Sequence, residues 1–220
     1  MKGDIMTKSF KIELPKIQAD LQNRNFQDIY HEDDPYLSNC TISNEEIDNI
    51  EIDKVVLSTI IFKNTSFINS RFEKIDMVDI VFENCDLSNA CFREGIIHRV
   101  TFKDCKLMGV DFSAATLGNV SFENCMSNFS NFVEARFKQV IFNHTTLQNA
   151  NYYDCEFNKI KFDNCELNRA DFYHTSLKGI DLSTCTYEVL NVTPESLDGC
   201  VVSADQAIGF SKLLGLQVKQ

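Results

Sequence analysis

Taking every fifth residue from Leu37 to Val202 gives 34 positions, and all but Ser127 are apolar. Fourteen of the 18 phenylalanines fall in this single register, from Phe62 to Phe172. A period of five fits neither an α-helix, with 3.6 residues per turn, nor a strand that alternates every second residue. It requires a chain that turns a corner every five residues and closes a square coil after four units. Residues 20 apart then stack, and the backbone pairs from coil to coil, as in a solenoid.

The residue two places before each large apolar one is small or β-branched: Cys40, Val55, Thr65, Ser70, Cys85, Ala90, Val100, Cys105, Ala115, Cys125, Ala135, Cys155, Cys165, Ala170 and Cys185 among them. Each unit therefore turns one large and one small residue inward and three toward solvent. Eight of the nine cysteines occupy the small position, and Cys91 alone does not. An odd count without a secretory signal argues against a disulfide framework, and no C-x-x-C pair points to structural zinc. The thiols read as small core residues. Asparagine recurs just past the corner, at Asn64, Asn69, Asn84, Asn89, Asn119, Asn124, Asn149 and Asn164, where its side chain bonds local backbone and tolerates turn dihedrals.

Units such as Cys85-Asp86-Leu87-Ser88-Asn89, Ala90-Cys91-Phe92-Arg93-Glu94 and Ala170-Asp171-Phe172-Tyr173-His174 resemble the A-[DN]-[LF]-x-x motif of pentapeptide-repeat proteins. The resemblance implies an all-β fold, a right-handed quadrilateral β-helix, over residues 35–202. That span makes about eight coils, roughly 40 Å at the interstrand spacing.

Both ends of such a rod need covers, because an open coil exposes core and unpaired backbone. Residues 1–34 are out of register and read as an N-terminal cap. In it Phe10, Ile12 and Leu14 alternate like a short strand ended by Pro15, and Leu21, Phe26 and Ile29 pack on the first coil. Met6 is as good a start as Met1. Residues 203–220 read as a helix of about three turns opened by the capping box Ser203-Ala204-Asp205-Gln206, with Gly215 as C-cap and Leu216-Gln217-Val218 as a short strand. This segment either folds back over the last coil or forms a dimer interface.

The spacing of Gln206, Ala207, Leu214, Gly215 and Val218 resembles the end of the quinolone-resistance (Qnr-type) pentapeptide-repeat proteins. That resemblance implies a homodimer joined end to end through Gln206, Ala207, Phe210, Leu213, Leu214, Gly215, Leu216 and Val218. The double rod would span roughly 80 Å, about two dozen base pairs of B-DNA. It further implies binding to DNA gyrase, and to topoisomerase IV, with protection from quinolones. Many Qnr-type proteins carry two bulging loops; here the one breach of register, Ser127 between Met126 and Phe129, inserts no residue.

Charge sharpens this expectation. With 21 Lys+Arg against 32 Asp+Glu the formal net charge is −11, so no general basic surface exists for nucleic acid. Sorted by register, the face of Ile52, Phe72, Phe92, Phe112, Phe132, Tyr152 and Phe172 carries eight acids and four bases. Past residue 110 only Asp111, Glu134, Asp154 and Asp171 remain on it, a run of unopposed carboxylates. Asp86 and Glu166 lie on the neighbouring acidic face, whereas Arg136, Lys138, Lys159 and Lys178 gather on a balanced one. An acidic rod of DNA-like length could occupy a basic DNA groove on another protein; equally, the acids could simply keep a repeat rod soluble. The histidines His31, His98, His144 and His174 share no metal-ligand spacing, phosphate-loop motifs are absent, and a convex rod filled with Phe and Leu offers no pocket. We expect no enzyme, no cofactor, no metal and no small-molecule substrate. No apolar run approaches 18 residues and no signal-peptide core opens the chain, so the expectation is a cytoplasmic protein without membrane contact. The alternatives are a pentapeptide-repeat binder that guards gyrase from a peptide toxin, or an acidic scaffold for another partner.

Overall fold

The computed structural model describes residues 11–30 and 34–219. Eight parallel strands form one sheet in chain order: β1 (Gln22–Asn23), β2 (Tyr36–Ser43), β3 (Val56–Lys63), β4 (Asp76–Glu83), β5 (Ile96–Lys103), β6 (Thr116–Glu123), β7 (Arg136–Asn143) and β8 (Glu156–Asp163). From β2 onward the register is 20 residues, Leu57 opposite Met77 and Phe142 opposite Phe162. The other two sides pair through single bridges per coil, such as Asp86 with Lys106 and Asp111 with Asn131. The architecture is the right-handed quadrilateral β-helix that the period demands, of about seven turns rather than the eight coils counted from the repeat.

Five-residue corners carry a backbone cost that the sequence meets at one position. Nearly every residue just past the large inward pair has φ between 49° and 76°, Asn64 at 50°, Asn84 at 54° and Gly179 at 76° among them. Asparagine tolerates this left-handed region better than most residues, and here it also bonds up the rod. Asn64 Nδ2 donates to Asn44 Oδ1 at 3.2 Å, Asn84 to Asn64 at 2.7 Å, and Asn89 to Asn69 at 3.1 Å.

Inside, two aromatic ladders rise at the coil spacing. Phe62, Phe82, Phe102, Phe122, Phe142 and Phe162 stack with centroids 4.5 to 5.3 Å apart. Phe72, Phe92, Phe112, Phe132, Tyr152 and Phe172 stack beside them, Tyr152 at 4.9 Å from both its neighbours. The small inward residues do more than fill space. Cys85, Cys105, Cys125 and Cys165 donate Sγ–H to the carbonyl 23 residues earlier at 3.4 to 3.5 Å. Thr145 and Thr175 make the same bond with a hydroxyl. Cys and Thr are thus exchangeable as small donors that tie one coil to the last. Burial pushes the Cys155 thiol up to about 12 and the Cys40 thiol up to about 11.

The ends depart from expectation. Phe26 and Ile29 do cover the first coil, both buried, with the Phe26 ring 6.1 to 6.5 Å from those of Phe62, Phe67 and Phe72. Phe10 lies outside the described residues, but residues 11–17 form no strand, and Leu14 is 64% exposed. The edge of β2 is already taken by β1, so this segment has no ladder to join. It runs instead along the outside of the rod as a strap. Glu13 N donates to Asn119 Oδ1 at 2.9 Å, Lys16 N to Asp79 Oδ1 at 2.8 Å, and Gln139 Nε2 donates to the Lys11 carbonyl at 3.1 Å.

At the other end the helix α1 (Ala204–Phe210) is two turns long rather than three and continues as a 3-10 turn, Ser211–Leu214. Its capping box is formed: Gln206 N donates to Ser203 Oγ and Ser203 N to Gln206 Oε1. Residues 216–218 are not a strand and join no ladder among the described residues.

Candidate protein-binding faces

Of the six carboxylates expected on the acidic surface, three belong to the coil itself. In the repeat the Asp or Asn before the large inward residue accepts the N–H two residues on, which holds the corner. Asp111 Oδ1 accepts from Ser113 N at 2.9 Å, Asp171 from Tyr173 N at 2.9 Å, and Asp86 from Ser88 N at 3.1 Å. Asp111 is moreover not unopposed: Arg93 reaches it from the preceding coil at 3.0 Å. Although burial acts to raise the Asp111 pKa, the Ser113 bonds and the Arg93 guanidinium bring it below the ordinary aspartate value. Asp86 faces Lys106 at 3.5 Å, and Glu166 accepts from Gln148 Nε2 at 2.8 Å.

Glu134 and Asp154 are different. They occupy successive corners, with φ of 59° and 54°, one coil apart, and are exposed. Among the described residues neither has an ion pair. Both line an open trough of about 930 Å³ with Arg136, Glu156, Lys159, His174 and Lys178, where Cys155 forms part of the floor. The convexity expected of the rod is therefore interrupted at this corner. Arg136 pairs with Glu156 at 3.5 Å and Lys178 with Asp198 at 3.5 Å, so the trough is polar. Inside the rod, a void bounded by Phe26, Phe67, Phe72 and Phe92 holds only about 10 Å³.

The register breach is confined to side chains. Ser127 and Ser130 are buried with their hydroxyls unpartnered, while the bridges Lys106–Met126 and Met126–Thr146 stay in step. Met126 and Phe129 project outward, Phe129 60% exposed with φ of 60°.

At the C-terminus the eight residues expected at a dimer interface divide. Gln206 turns inward, its Nε2 donating to the Leu182 and Cys185 carbonyls at 3.0 and 2.9 Å. Phe210 is half-buried with its ring 5.9 Å from Tyr187. Ala207, Leu213, Gly215, Leu216 and Val218 are exposed, with Gly215 at φ 69°, and the Leu214 side chain lies outside the described residues. With Ile208 they leave an apolar surface past the last coil.

Sequence reasoning missed the strap acceptors Asp79 and Asn119 and the strap donor Gln139. The one available signal was their shared column, in which no asparagine ladder could form. Asp79 is held by Arg99, Nε at 2.6 Å and Nη2 at 2.8 Å. That bond and the Lys16 N–H keep its carboxyl below the ordinary value against the cost of burial.

Comparison with known proteins gives a family. A model described as a pentapeptide repeat region matches residues 75–152, and one described as pentapeptide repeats (8 copies) matches residues 153–186. No curated protein matches the chain. Among solved structures, the chain is similar to trypsin-treated QnrB1, described as a plasmid-mediated fluoroquinolone resistance protein. The identity is 17%, over 82% of this chain and 100% of that one, with a TM-score of 0.44. It is also similar to HetL of the cyanobacterium Nostoc, a pentapeptide repeat protein involved in heterocyst differentiation regulation. Here the identity is 14%, over 76% of this chain and 83% of that one, at a TM-score of 0.33. A thylakoid-lumen pentapeptide repeat protein of Arabidopsis thaliana shares 18% identity over 40% of this chain and 64% of its own, at a TM-score of 0.33.

Proposed function

The chain belongs to the pentapeptide-repeat family, and from that premise we propose that it protects a type II topoisomerase, DNA gyrase or topoisomerase IV, from quinolones by standing in for DNA. The observation that carries this reading is the C-terminal module. Its Gln206, Ala207, Leu214, Gly215 and Val218 follow the Qnr-type spacing, and its inner side is fastened to the rod while Leu213, Leu216 and Val218 stay exposed. Two copies joined there form a rod of roughly 80 Å with the width of a single β-helix.

The net charge of −11 supplies the attraction to a saddle evolved for phosphates, and low salt strengthens it. Glu134 and Asp154 are the carboxylates suited to the contact, because among the described residues no base forms an ion pair with them and neither side chain holds a corner by a hydrogen bond. Asp111, Asp171, Asp86 and Glu166 add to the long-range field but are engaged locally.

Expression in a quinolone-susceptible bacterium, followed by a ciprofloxacin dilution series, tests the proposal. A several-fold rise in inhibitory concentration is expected. No rise, together with no protection of purified gyrase, contradicts it.

A further inference from the structure

Corner positions of the β-helix point outward, and in two columns their side chains bond one another: Asn44, Asn64 and Asn84 in one, Asn49, Asn69 and Asn89 in the other. The column of Asp79, Arg99, Asn119 and Gln139 is used otherwise. Asp79 Oδ1 and Asn119 Oδ1 accept main-chain N–H groups of a segment that crosses them, and Gln139 Nε2 donates to a main-chain carbonyl of the same segment. Arg99 fixes the Asp79 carboxylate from the side, and Gln139 Nε2 also reaches Asn119 Oδ1 at 3.3 Å. The acceptors are therefore set in place by their own column. Asp79 and Asn119 are 7% and 8% exposed, unusual for outward positions.

The spacing of these contacts suits any extended chain. Lys11 lies at the coil of Gln139 and Lys16 at that of Asp79, three coils away. Five extended residues span about 16 Å and three coils rise about 14 Å. All three bonds are made to backbone, while the side chains of Lys11, Glu13, Leu14 and Lys16 are exposed. Only Ile12, Pro15 and Ile17 are half-buried. Recognition thus asks for an extended main chain with branched aliphatic residues five apart and leaves the rest free, the economy of peptide binding along a sheet edge. Three solvent-bordered hydrogen bonds set against the ordering of seven residues hold such a segment weakly.

We propose that the column Asp79, Arg99, Asn119 and Gln139 is a binding site for extended peptide, that residues 11–17 occupy it as an internal ligand, and that an extended segment of a partner protein displaces them. The inference is independent of the topoisomerase reading, which concerns other faces.

The test uses the full chain and a fluorescein-labelled peptide of residues 11–20. Replacing Glu13→Pro and Lys16→Pro together removes both donated N–H groups of the strap and leaves the column intact. The double variant should bind the peptide at least tenfold more tightly than the unaltered chain, and adding Asn119→Ala should reverse most of that gain. Equal affinities, no binding to the double variant, or indifference to Asn119→Ala would each overturn the proposal. If the double variant does not fold, hydrogen exchange on the unaltered chain decides. The Glu13 and Lys16 amides should exchange several-fold faster at saturating peptide, and unchanged rates would overturn it.

Discussion

Tyr152 shows how closely the inward register is constrained. It stands in a column of phenylalanines with its ring stacked on Phe132 and Phe172, yet its hydroxyl is buried without a partner. Burial pushes that hydroxyl well above the ordinary tyrosine range. Removing an unsatisfied buried polar group while keeping the shape of the side chain is neutral to stabilising. Tyr152→Phe should raise stability by about 1 kcal/mol, a shift of roughly 2–4 °C in Tm for a chain of this size, read by thermal melting. A loss of stability would mean that the hydroxyl has a bond this geometry does not contain. At this scale the sequence was legible. The spacing of five placed Tyr152, the two Phe ladders and seven of the cysteines inside, and the corner asparagines where φ is positive; it missed Cys91, which is buried outside that register, and Cys200, in register, is only half-buried. What periodicity could not supply was the second use of six of the thiols, since the carbonyl each of those meets lies 23 residues back and becomes visible only when the coils stack.

Among the elements, the asparagine ladder and the strap both depend on corner side chains, and both can be tested by removing one rung. Asn64 donates to Asn44 and accepts from Asn84 at the left-handed φ of 50°. Asn64→Ala loses two exposed hydrogen bonds and places a less tolerant residue there, so it should cost about 1–2 kcal/mol in denaturant unfolding; no change would make the ladder ornamental. The strap responds to acid. The folded Asp79 carboxyl, bonded by Arg99 and then by Lys16 N–H, has its pKa lowered. Its contribution is therefore complete above the unfolded aspartate value of about 3.9 and is lost as pH falls through the folded one. The Lys16 amide resonance should titrate with a midpoint below that of an ordinary aspartate, and Arg99→Gln should move the midpoint up. A titration indifferent to Arg99 would contradict the pairing. The strap was hidden from sequence reasoning because Glu13 and Asn119 are 106 residues apart and share no period. Residues 216–218 alternate like a strand, but a strand needs a paired edge, and among the described residues they join none.

For the whole molecule the question is what an acidic rod with an apolar end does. The end has a direct consequence: Leu213→Asp with Leu216→Asp, both exposed positions, should convert dimers to monomers by light scattering without changing the far-ultraviolet spectrum. Monomers in the unaltered chain would remove the double rod. The charge map sharpened the expected contact surface. Asp111 and Asp171 looked like the two ends of a bare acidic stripe, yet each holds a corner of the coil and Asp111 is matched by Arg93. Reversing those two would damage the fold and the field together. Glu134 and Asp154 separate the effects, since neither holds a corner by a hydrogen bond. The central claim is therefore tested most directly by supercoiling with purified gyrase and inhibitory ciprofloxacin, titrated with the unaltered chain and with the Glu134→Lys, Asp154→Lys variant. The account predicts that the unaltered chain restores supercoiling and that the folded variant needs at least tenfold more protein to do so. No restoration by the unaltered chain at any concentration would contradict it.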